Sequence, residues 1–595
     1  MFRRIHRRLL LTLTLLVTFL FGNQLTAQRP TAPKLLPYNT VAYFRIANLP
    51  EFKAKLSETS IGKIGNNEDI QSLMSSFYEE FLTAYPEIEE ELGMPLDELL
   101  DLPQGEVCVA VAVTDTGSVM FFLLVDFGDR IATTDKLLGR LDELVLAAGG
   151  SVEKEMVSET EVIVYDNPID DNSPEVIIKD GTLVVTTNRL MTEHVVAHWE
   201  GTATAEQRTF SQNRKFTAIM RSSVGTEEAR PHASWYFDPL TLVTATTQGN
   251  FAAQAAMAIL PTIGLDGFKA LGGSVILAPP GFDTISHTHI ALAVPRRGVL
   301  DLLTFGTGDG TPEPWVPADV PAYITGYWNV DEAYDNLITL LDTVLGEGEF
   351  QTQVDENFNL PLDIDLREDI IEGMAGRFTL ATWVVPPARI NSQSMMIGIE
   401  LKEGHQLTAD LERLIELIPI AEKKSYNNQD YYNIQIPTPP QQPGTPPSRI
   451  RIPSPCIAIV GNYIVLTDSE EFFQHAMDTN SSGNDRLADS EEFALIRQHI
   501  KNQLGEEQAS MITFAQPRDQ LQLVLDLVGD DRTKDFLADN SENSRFLGVL
   551  SNVMGNAKLP SMDDLTRHLA PSGSVMINNE TGLHFIGFSL KPTEE

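Results

Sequence analysis

The sequence predicts an α+β protein with two homologous halves, each a largely antiparallel sheet with helices packed on it. Three observations support this prediction. Strand-like apolar segments follow one another across short turns, which favours antiparallel pairing. Amphipathic segments such as "TTDKLLGRLDELVLAAG" have the period of helices that cover a sheet. Finally, the same order of segments occurs twice along the 595 residues.

The first strand of each half follows a similar phrase. "PYNTVAY" occupies Pro37–Tyr43, and the proline and final Ala-Tyr recur 280 residues further on (37 to 317) in "PADVPAY". Further pairs follow in the same order: "GEVCVAVAV" from Gly105 with "GRFTLATWV" from Gly376, and "LGRLDEL" from Leu138 with "LERLIEL" from Leu411. A repeat this long indicates a domain duplication, because solenoid repeats have only about 20 to 50 residues.

A hairpin is predicted in the middle of each half. "EVIIKDGTLVVTT" turns at Asp180-Gly181 and "CIAIVGNYIVLTD" turns at Gly461-Asn462. Tight hairpin turns need positive φ, which these residue types supply. Helices, a strand and another helix follow each hairpin. "GGSVIL" at Gly272 and "SGSVMI" at Ser572 then lead into the closing strands.

These matches set the expected organisation of the chain. We expect a signal peptide at 1–27, a first repeat at 28–305, a polar Gly- and Pro-containing linker at 306–316, and a second repeat at 317–592. The second repeat carries an insertion with eight prolines at 436–455. Because proline has a fixed φ and no N–H, this insertion is expected to be an exposed loop with Arg449 and Arg451 as a basic spot. A partner-binding role for the loop is the alternative to a merely solvated one.

The first 27 residues have the pattern of a secretory signal. Four arginines precede an apolar run at Leu9–Phe21, and Ala27 offers a small residue for cleavage. The expected location is therefore periplasmic or secreted. An uncleaved leader that anchors the protein to the membrane is the alternative, although the run is shorter than the roughly 18 to 20 residues of a spanning helix.

Composition excludes some function classes. The chain is 42% hydrophobic and 21% charged, as expected of a folded protein, and its formal charge is −40. Nucleic-acid binding is not expected, because that affinity comes largely from Lys and Arg. The two cysteines, Cys108 and Cys456, lie in apolar strand-like runs, which favours two separate buried thiols over a disulfide.

The candidate metal ligands are His194 and His198 in "EHVVAH". Four residues apart on a helix, they share a face and could reach one cation. The acid precedes the first histidine, so the general base of an H-E-x-x-H metalloprotease is missing. In the corresponding helix of the second half, "FFQHAMD", neither histidine is expected at the matched position. The alternative is a surface helix that happens to carry two histidines.

Other candidate ligands have weaker patterns. His287 and His289 in "SHTH" are expected on one strand face, with His584 near the equivalent place in the second half. Asp170 and Asp171 are candidate calcium ligands in a loop, without the spacing of a calcium-binding loop. No G-x-S-x-G, phosphate loop or dinucleotide motif occurs. We therefore predict no cofactor and no catalytic residue, although carboxylates brought together by the fold stay possible glycosidase groups.

The phrases "LLPYNTVAYFRIANLPEF", "LGRLDEL", "KDGTLVVTT" and "FSQNRKF" resemble an uncharacterised family of exported, planctomycete-type bacterial proteins with a domain of unknown function. The resemblance covers nearly the whole mature chain and implies no catalytic or binding residue. The expected function is non-enzymatic: a macromolecule-binding or envelope-associated structural module whose partner is another envelope protein or a polysaccharide. The alternative is a metal-assisted hydrolase that acts from the first half.

Overall fold

A computed structural model of the chain gives the fold. It describes residues 29–84, 89, 93–166, 173–223, 230–386, 391–403, 407–416, 418–436, 451–505, 508–518, 521, 522, 525, 531–540, 545–556 and 561–592. The predicted signal peptide, the acidic pair Asp170 and Asp171, and 437–450 of the Pro-rich insertion lie outside these residues. No described helix is both long enough and apolar enough to cross a membrane.

The described strands form one sheet in which all pairs are antiparallel. The strands of the first half are β1 (Thr40–Ile46), β2 (Val107–Val113), β3 (Val119–Asp126), β4 (Ser151–Val157), β5 (Thr160–Asp166), β6 (Glu175–Lys179), β7 (Thr182–Thr186), β8 (Ala233–Phe237), β9 (Phe268–Leu277) and β10 (Phe282–Leu292). Those of the second half are β11 (Ala322–Tyr327), β12 (Met374–Val384), β13 (Gln393–Leu401), β14 (Ala421–Tyr426), β15 (Gln429–Ile434), β16 (Cys456–Val460), β17 (Tyr463–Thr467), β18 (Met511–Ala515), β19 (Ser572–Asn579) and β20 (Gly582–Leu590).

The described α-helices lie between these strands. In the first half they are α1 (Ala32–Leu35), α2 (Leu49–Glu58), α3 (Ser60–Gly65), α4 (Glu68–Ala84), α5 (Leu96–Leu100), α6 (Ile131–Ala147), α7 (Arg189–Glu200), α8 (Arg214–Ser222), α9 (Pro239–Thr246) and α10 (Phe251–Met257). In the second half they are α11 (Val330–Leu345), α12 (Glu349–Val354), α13 (Leu360–Leu362), α14 (Leu407–Glu416), α15 (Glu470–Ser482), α16 (Glu491–Leu504), α17 (Asp531–Asn540), α18 (Arg545–Asn556) and α19 (Met562–Thr566). Two π-helical turns, Asp355–Asn359 and Leu366–Ile371, flank α13.

The strand order is the same in both halves. It runs β4-β5-β6-β7-β3-β2-β1-β8-β9-β10 in the first and β14-β15-β16-β17-β13-β12-β11-β18-β19-β20 in the second, and β10 pairs with β20. The α+β prediction and both central hairpins are confirmed. The homology of the halves stays a prediction, which this common order supports.

The segments that lead into β1 and β11 are held in the same way. Phe210 donates its N–H to the Leu36 carbonyl (2.8 Å), and Leu487 donates to the Val316 carbonyl (3.0 Å). Pro37 and Pro317 each form an isolated bridge beside these bonds. We call 29–37 and 309–317 the approach arms.

The second approach arm covers most of the predicted linker, and part of it is not a solvated connector. Trp315 and Val316 are buried in the core cluster of the second half, together with Tyr323. The polar residues, glycine and proline of this segment are typical of a linker. Its aromatic and branched residues nevertheless bury apolar area against the second half, which favours the docked position.

One face of the sheet carries the main core. Phe216 and Tyr236 belong to its first-half cluster, and Phe493 and Phe514 belong to its second-half cluster. Helices α8 and α16 lie close to the sheet at two glycines. A Cβ on Gly272 would come within 3.0 Å of Ile219 Cγ2 on α8, and one on Gly573 within 2.5 Å of Ile496 Cγ2 on α16. Any larger residue at these glycines would push the helix away.

Two expectations about polar and thiol groups had different outcomes. Cys108 and Cys456 are free and buried, as predicted, and burial raises the pKa of Cys456 to about 11. Arg451, expected in an exposed basic spot, is instead buried and paired with Asp468, and it donates to the Asn391 carbonyl. That prediction was wrong because the end of the Pro-rich insertion returns to the sheet before β16.

Each approach arm is tied to its sheet by a buried ion pair, and the two pairs have opposite polarity. In the first half, Arg29 of the arm pairs with Glu106, just before β2 (Nη1–Oε2, 2.6 Å). In the second, Glu313 of the arm pairs with Arg377 on β12 (Oε1–Nη2, 3.1 Å). Glu106 and Arg377 are matched positions, since each lies four residues before an alanine that pairs with Tyr43 or Tyr323.

The second pair predicts a large stability effect. The Glu313 and Arg377 side chains are only 1% and 11% exposed. Arg377→Met would leave a buried, unpaired carboxylate, and we expect it to lower the free energy of unfolding by about 3 to 5 kcal/mol. Adding Glu313→Gln should recover part of this loss, because it removes the unpaired charge.

Urea unfolding of the purified full chain measures both effects. The matched control is Lys53→Met, which breaks the exposed Lys53–Asp101 pair and should cost less than about 1 kcal/mol. A cost for Arg377→Met no larger than that of the control would contradict the expectation.

Candidate functional site

The predicted metal ligands lie on α7, whose first turn is capped by the Asn188 side chain. The rings of His194 and His198 are 4.2 Å apart between centroids. Nδ1 of His198 lies 2.9 Å from the His194 carbonyl oxygen, and its Nε2 lies 2.8 Å from that of Gln207. Both ring nitrogens of His198 therefore face hydrogen-bond acceptors, and a metal ion would have to displace one of them.

His194 is held against the first approach arm. Burial, and then the neighbouring His198, lower its pKa to about 4, although the Leu36 backbone acts in the opposite direction. In the part of the chain that the structure describes, no group of three or more His, Cys, Asp or Glu is arranged to hold a metal ion. The metal site stays a prediction that lacks a third described ligand.

A histidine occupies the same helix position in the second half, contrary to the match made from sequence. The N-caps of α7 and α15 are Asn188 and Ser469, and His194 and His475 each lie six residues further on. His475 Nε2 lies 2.8 Å from Asp319 Oδ1, directly after the second arm, and this hydrogen bond raises the pKa of His475. In each half a helical histidine thus supports the entry to the first strand.

The second histidine group lies where the two halves pair. His289 on β10 is directly opposite His584 on β20, and His287 is on the same face two residues earlier. Nδ1 of His287 lies 3.4 Å from Nε2 of His584, and the His584 ring is 5.5 Å and 5.6 Å from those of His287 and His289. We call these three residues the junction histidines. The prediction that His287 and His289 share a face is confirmed.

The junction histidines are uncharged at neutral pH. Burial lowers the pKa of His287 and of His289, which is only 1% exposed. Burial, followed by the two neighbouring imidazoles, lowers the pKa of His584 to about 4. Within the described residues, Nδ1 of His289 and Nδ1 of His584 have no hydrogen-bond partner. Protonation here would place positive charge in a buried, crowded site.

An apolar cavity of about 900 Å³ lies on the other face of the sheet, in the second half. Its floor is formed by β12 and β13, its roof by α11, and one wall by a 3₁₀ turn at Gly298–Leu302 from the first half. The lining includes Phe378, Ile397, Ile399, Ala333, Leu337 and Leu302. We call this space the apolar cavity.

The titratable side chains in that lining are Tyr334 and Arg377. Arg377 is paired with Glu313, and burial raises the pKa of Tyr334, although the nearby Arg367 acts in the opposite direction. The lining contains no carboxylate pair and no nucleophile beside a base, which acid–base or covalent catalysis would need. The lining suits the binding of an apolar group.

The corresponding face of the first half is open to solvent. Phe44 is paired with Val109 on the neighbouring strand, and Phe121 lies on the next strand, with exposures of 47%, 47% and 53%. Phe237 and Val243 extend this apolar surface over β8 and α9. We call these five residues the open apolar face.

The open apolar face was not predicted from the sequence. The runs "VCVAVAV" and "VMFFLLVD" are apolar at nearly every position, a pattern typical of strands buried on both faces. A second signal was available: from Pro239 to Leu265 the chain contains no charged residue, although 21% of the whole is charged. Much of that segment is exposed, including Phe251 and Ile259.

No family model matches the chain, and no curated protein matches it. One solved structure, described as "Structure of crystal form III of TP0453", matches with 10% sequence identity over 47% of this chain and 88% of that chain. Its TM-score is 0.23, which is too low to indicate a shared fold.

Because the pKa values of the junction histidines are lowered, we expect the folded protein to lose stability in acid. In the unfolded chain His584 takes up its proton near pH 6.5, and in the folded chain only near pH 4, so acid favours unfolding over that window. Between pH 7 and pH 5 we expect the wild type to lose about 2 kcal/mol more stability than His584→Phe.

Urea unfolding of both proteins at the two pH values tests this. The comparison uses the difference between the proteins, because His194, whose pKa is also lowered to about 4, contributes its own pH dependence to both. Equal losses in the wild type and the variant would show that His584 is not buried in its neutral form.

Proposed function

We propose that this is an exported, non-enzymatic protein that binds another envelope protein through the open apolar face. The observation that supports the proposal most directly is the exposure of Phe44, Val109 and Phe121 side by side on adjacent strands. Contiguous exposed apolar surface is uncommon on soluble monomers and marks interaction sites. Aromatic residues are also the type enriched at the centres of interfaces.

The contrast between the halves supports the same proposal. In the second half, α11 and Gly298–Leu302 cover the equivalent sheet face and enclose the apolar cavity. In the first half, the equivalent strands keep large apolar side chains in contact with solvent. Since leaving such area exposed costs about 25 cal/mol per Å², an occupant that covers it would gain that free energy.

A protein partner fits this surface better than a polysaccharide. Sugars are bound through hydrogen bonds together with stacking on aromatic rings, and the five side chains of the open apolar face are hydrocarbon and carry no donor or acceptor. The chain as a whole is strongly acidic, with a formal charge of −40. A partner with an apolar contact surface and a net positive charge would complement both features.

Site-specific photo-cross-linking in the cells that make the protein tests this function. A photoreactive phenylalanine analogue at Phe44 or Phe121 should yield one discrete adduct with another protein. The same analogue at Leu146, an exposed residue on α6, is the control and should not yield it. Absence of an adduct from both face positions, or the same adduct from Leu146, would contradict the proposal.

Substitution of the face separates binding from folding. The double variant Phe44→Ser, Phe121→Ser should lose a partner identified by cross-linking. Its unfolding temperature should stay close to that of the wild type, because both side chains are half-exposed and surface changes usually have small effects, within about 0.5 kcal/mol each. A marked fall in unfolding temperature would show that these residues serve the core instead.

The rival function, a metal-assisted hydrolase, depends on His194 and His198. Since His198 already contacts two carbonyl oxygens, we expect purified protein to contain far less than one zinc ion per chain. Elemental analysis before and after zinc loading and dialysis measures this. Stoichiometric zinc that is lost in His194→Asn, His198→Asn would instead support the hydrolase.

A further inference from the structure

We infer that the apolar cavity binds one neutral, mainly hydrocarbon small molecule that carries a single hydroxyl or carbonyl group. This site is separate from the open apolar face and does not depend on the proposed function. It lies in the second half, on the face of the sheet opposite to the main core, and its walls come from both halves.

The 3₁₀ wall and the roof of the cavity are joined by hydrogen bonds. Trp328 donates its indole N–H to the Leu302 carbonyl (2.9 Å), and Asn336 on α11 donates its side-chain N–H to the Asp301 carbonyl (2.9 Å). The Thr304 hydroxyl donates to the Asn329 carbonyl (2.9 Å). These bonds join the 3₁₀ wall to the roof helix and to the residues just before it.

The size of the cavity indicates a ligand. Its volume of about 900 Å³ lies within the range of about 300 to 1,000 Å³ that is usual for small-molecule sites. The cavity is partly open to solvent, and its apolar lining lacks the dispersion contacts that close packing would supply. A space of this size between well-formed walls fits an occupant that supplies those contacts.

The charges around the cavity argue against an anionic ligand. The roof helix begins with Asp331 and Glu332, and Asp335 follows one turn later. The guanidinium in the lining, Arg377, is already paired with Glu313, and Arg367 near the roof is paired with Asp335. A carboxylate or sulfonate would enter an acidic region in which Arg367 and Arg377 are already paired with carboxylates.

Among the described residues of the lining, Tyr334 offers a polar group that is not already paired. This buried residue lies in the lining, and its hydroxyl has no hydrogen-bond partner in the part of the chain that the structure describes. A buried polar group without a partner is costly, and a ligand hydroxyl or carbonyl would satisfy it. Long-chain or cyclic alcohols and ketones are therefore the expected class.

A pair of related fluorophores tests the site and its charge preference. N-phenyl-1-naphthylamine is neutral, and 1-anilinonaphthalene-8-sulfonate adds a sulfonate to the same aromatic frame. Titrated into the purified full chain, the neutral probe should saturate at one site and bind at least about tenfold tighter than the anionic probe. Dodecanol should displace it more effectively than dodecanoate.

Three tryptophan variants locate the binding. Ala333→Trp and Leu337→Trp fill the cavity from the roof and should each weaken binding of the neutral probe at least about tenfold. Ala494→Trp, at an exposed position of α16, is the matched control and should bind as the wild type does. Leu337 is less buried than Ala333, so Leu337→Trp keeps the test valid if Ala333→Trp fails to fold.

Tyr334→Phe tests the role of the Tyr334 hydroxyl. It should leave binding of the neutral probe unchanged while making dodecanol a several-fold poorer competitor. Unchanged competition would remove the hydroxyl or carbonyl from the inferred ligand class.

Other outcomes would overturn the whole inference. They are absence of saturable binding, equal binding of the two probes, or full binding in both roof variants. Loss of binding in Phe44→Ser, Phe121→Ser instead would place the probe on the open apolar face. Because that double variant and the roof variants change different halves, failure of this inference is distinguishable from failure of the proposed function.

Discussion

Backbone hydrogen bonds between β10 and β20 join two ten-strand arrays into one sheet, and the other features depend on that pairing. The paired stretch runs from Phe282 opposite Leu590 to Ala291 opposite Gly582. Because the sheet is continuous, the main core of both halves lies on one face, and the 3₁₀ wall after β10 is positioned to close a cavity in the other half. Separating the halves would expose a row of backbone donors and acceptors, so the pairing favours one continuous sheet.

The two faces of this sheet have different roles. The face that carries the main core contains the large aromatic clusters and the glycines that α8 and α16 approach, so it provides most of the packing. The other face is closed over the apolar cavity in the second half and open in the first. The strand order is the same in both halves, whereas among the described residues the equivalent apolar surface is covered in the second half and exposed in the first.

Local features of this fold could be predicted from the sequence, whereas contacts between distant segments could not. Turn residues with positive φ, such as Gly181 and Gly461, and alternating apolar residues identified the hairpins and the α+β class. The pairing of His289 with His584 joins strands almost 300 residues apart, and no local pattern encodes it. The open apolar face and the apolar cavity were missed for a related reason: whether an apolar residue such as Phe121 is covered depends on which helix crosses it.

The approach arms show that the two halves are more similar than a comparison of residue types at equivalent positions indicates. Glu106 and Arg377 occupy equivalent positions and have opposite charges. Their partners in the arms, Arg29 and Glu313, also have opposite charges, so each half keeps an acid beside a base. A change of sign at one partner alone would bury two like charges, so the pair can only change together. In the first half Glu106 also pairs with Arg45 and Arg29 with Asp126, so what both halves preserve is a balanced set of charges that fixes the arm. Since a buried pair adds little net stability over apolar residues, its value here is to specify where the arm docks and thus where the first strand begins.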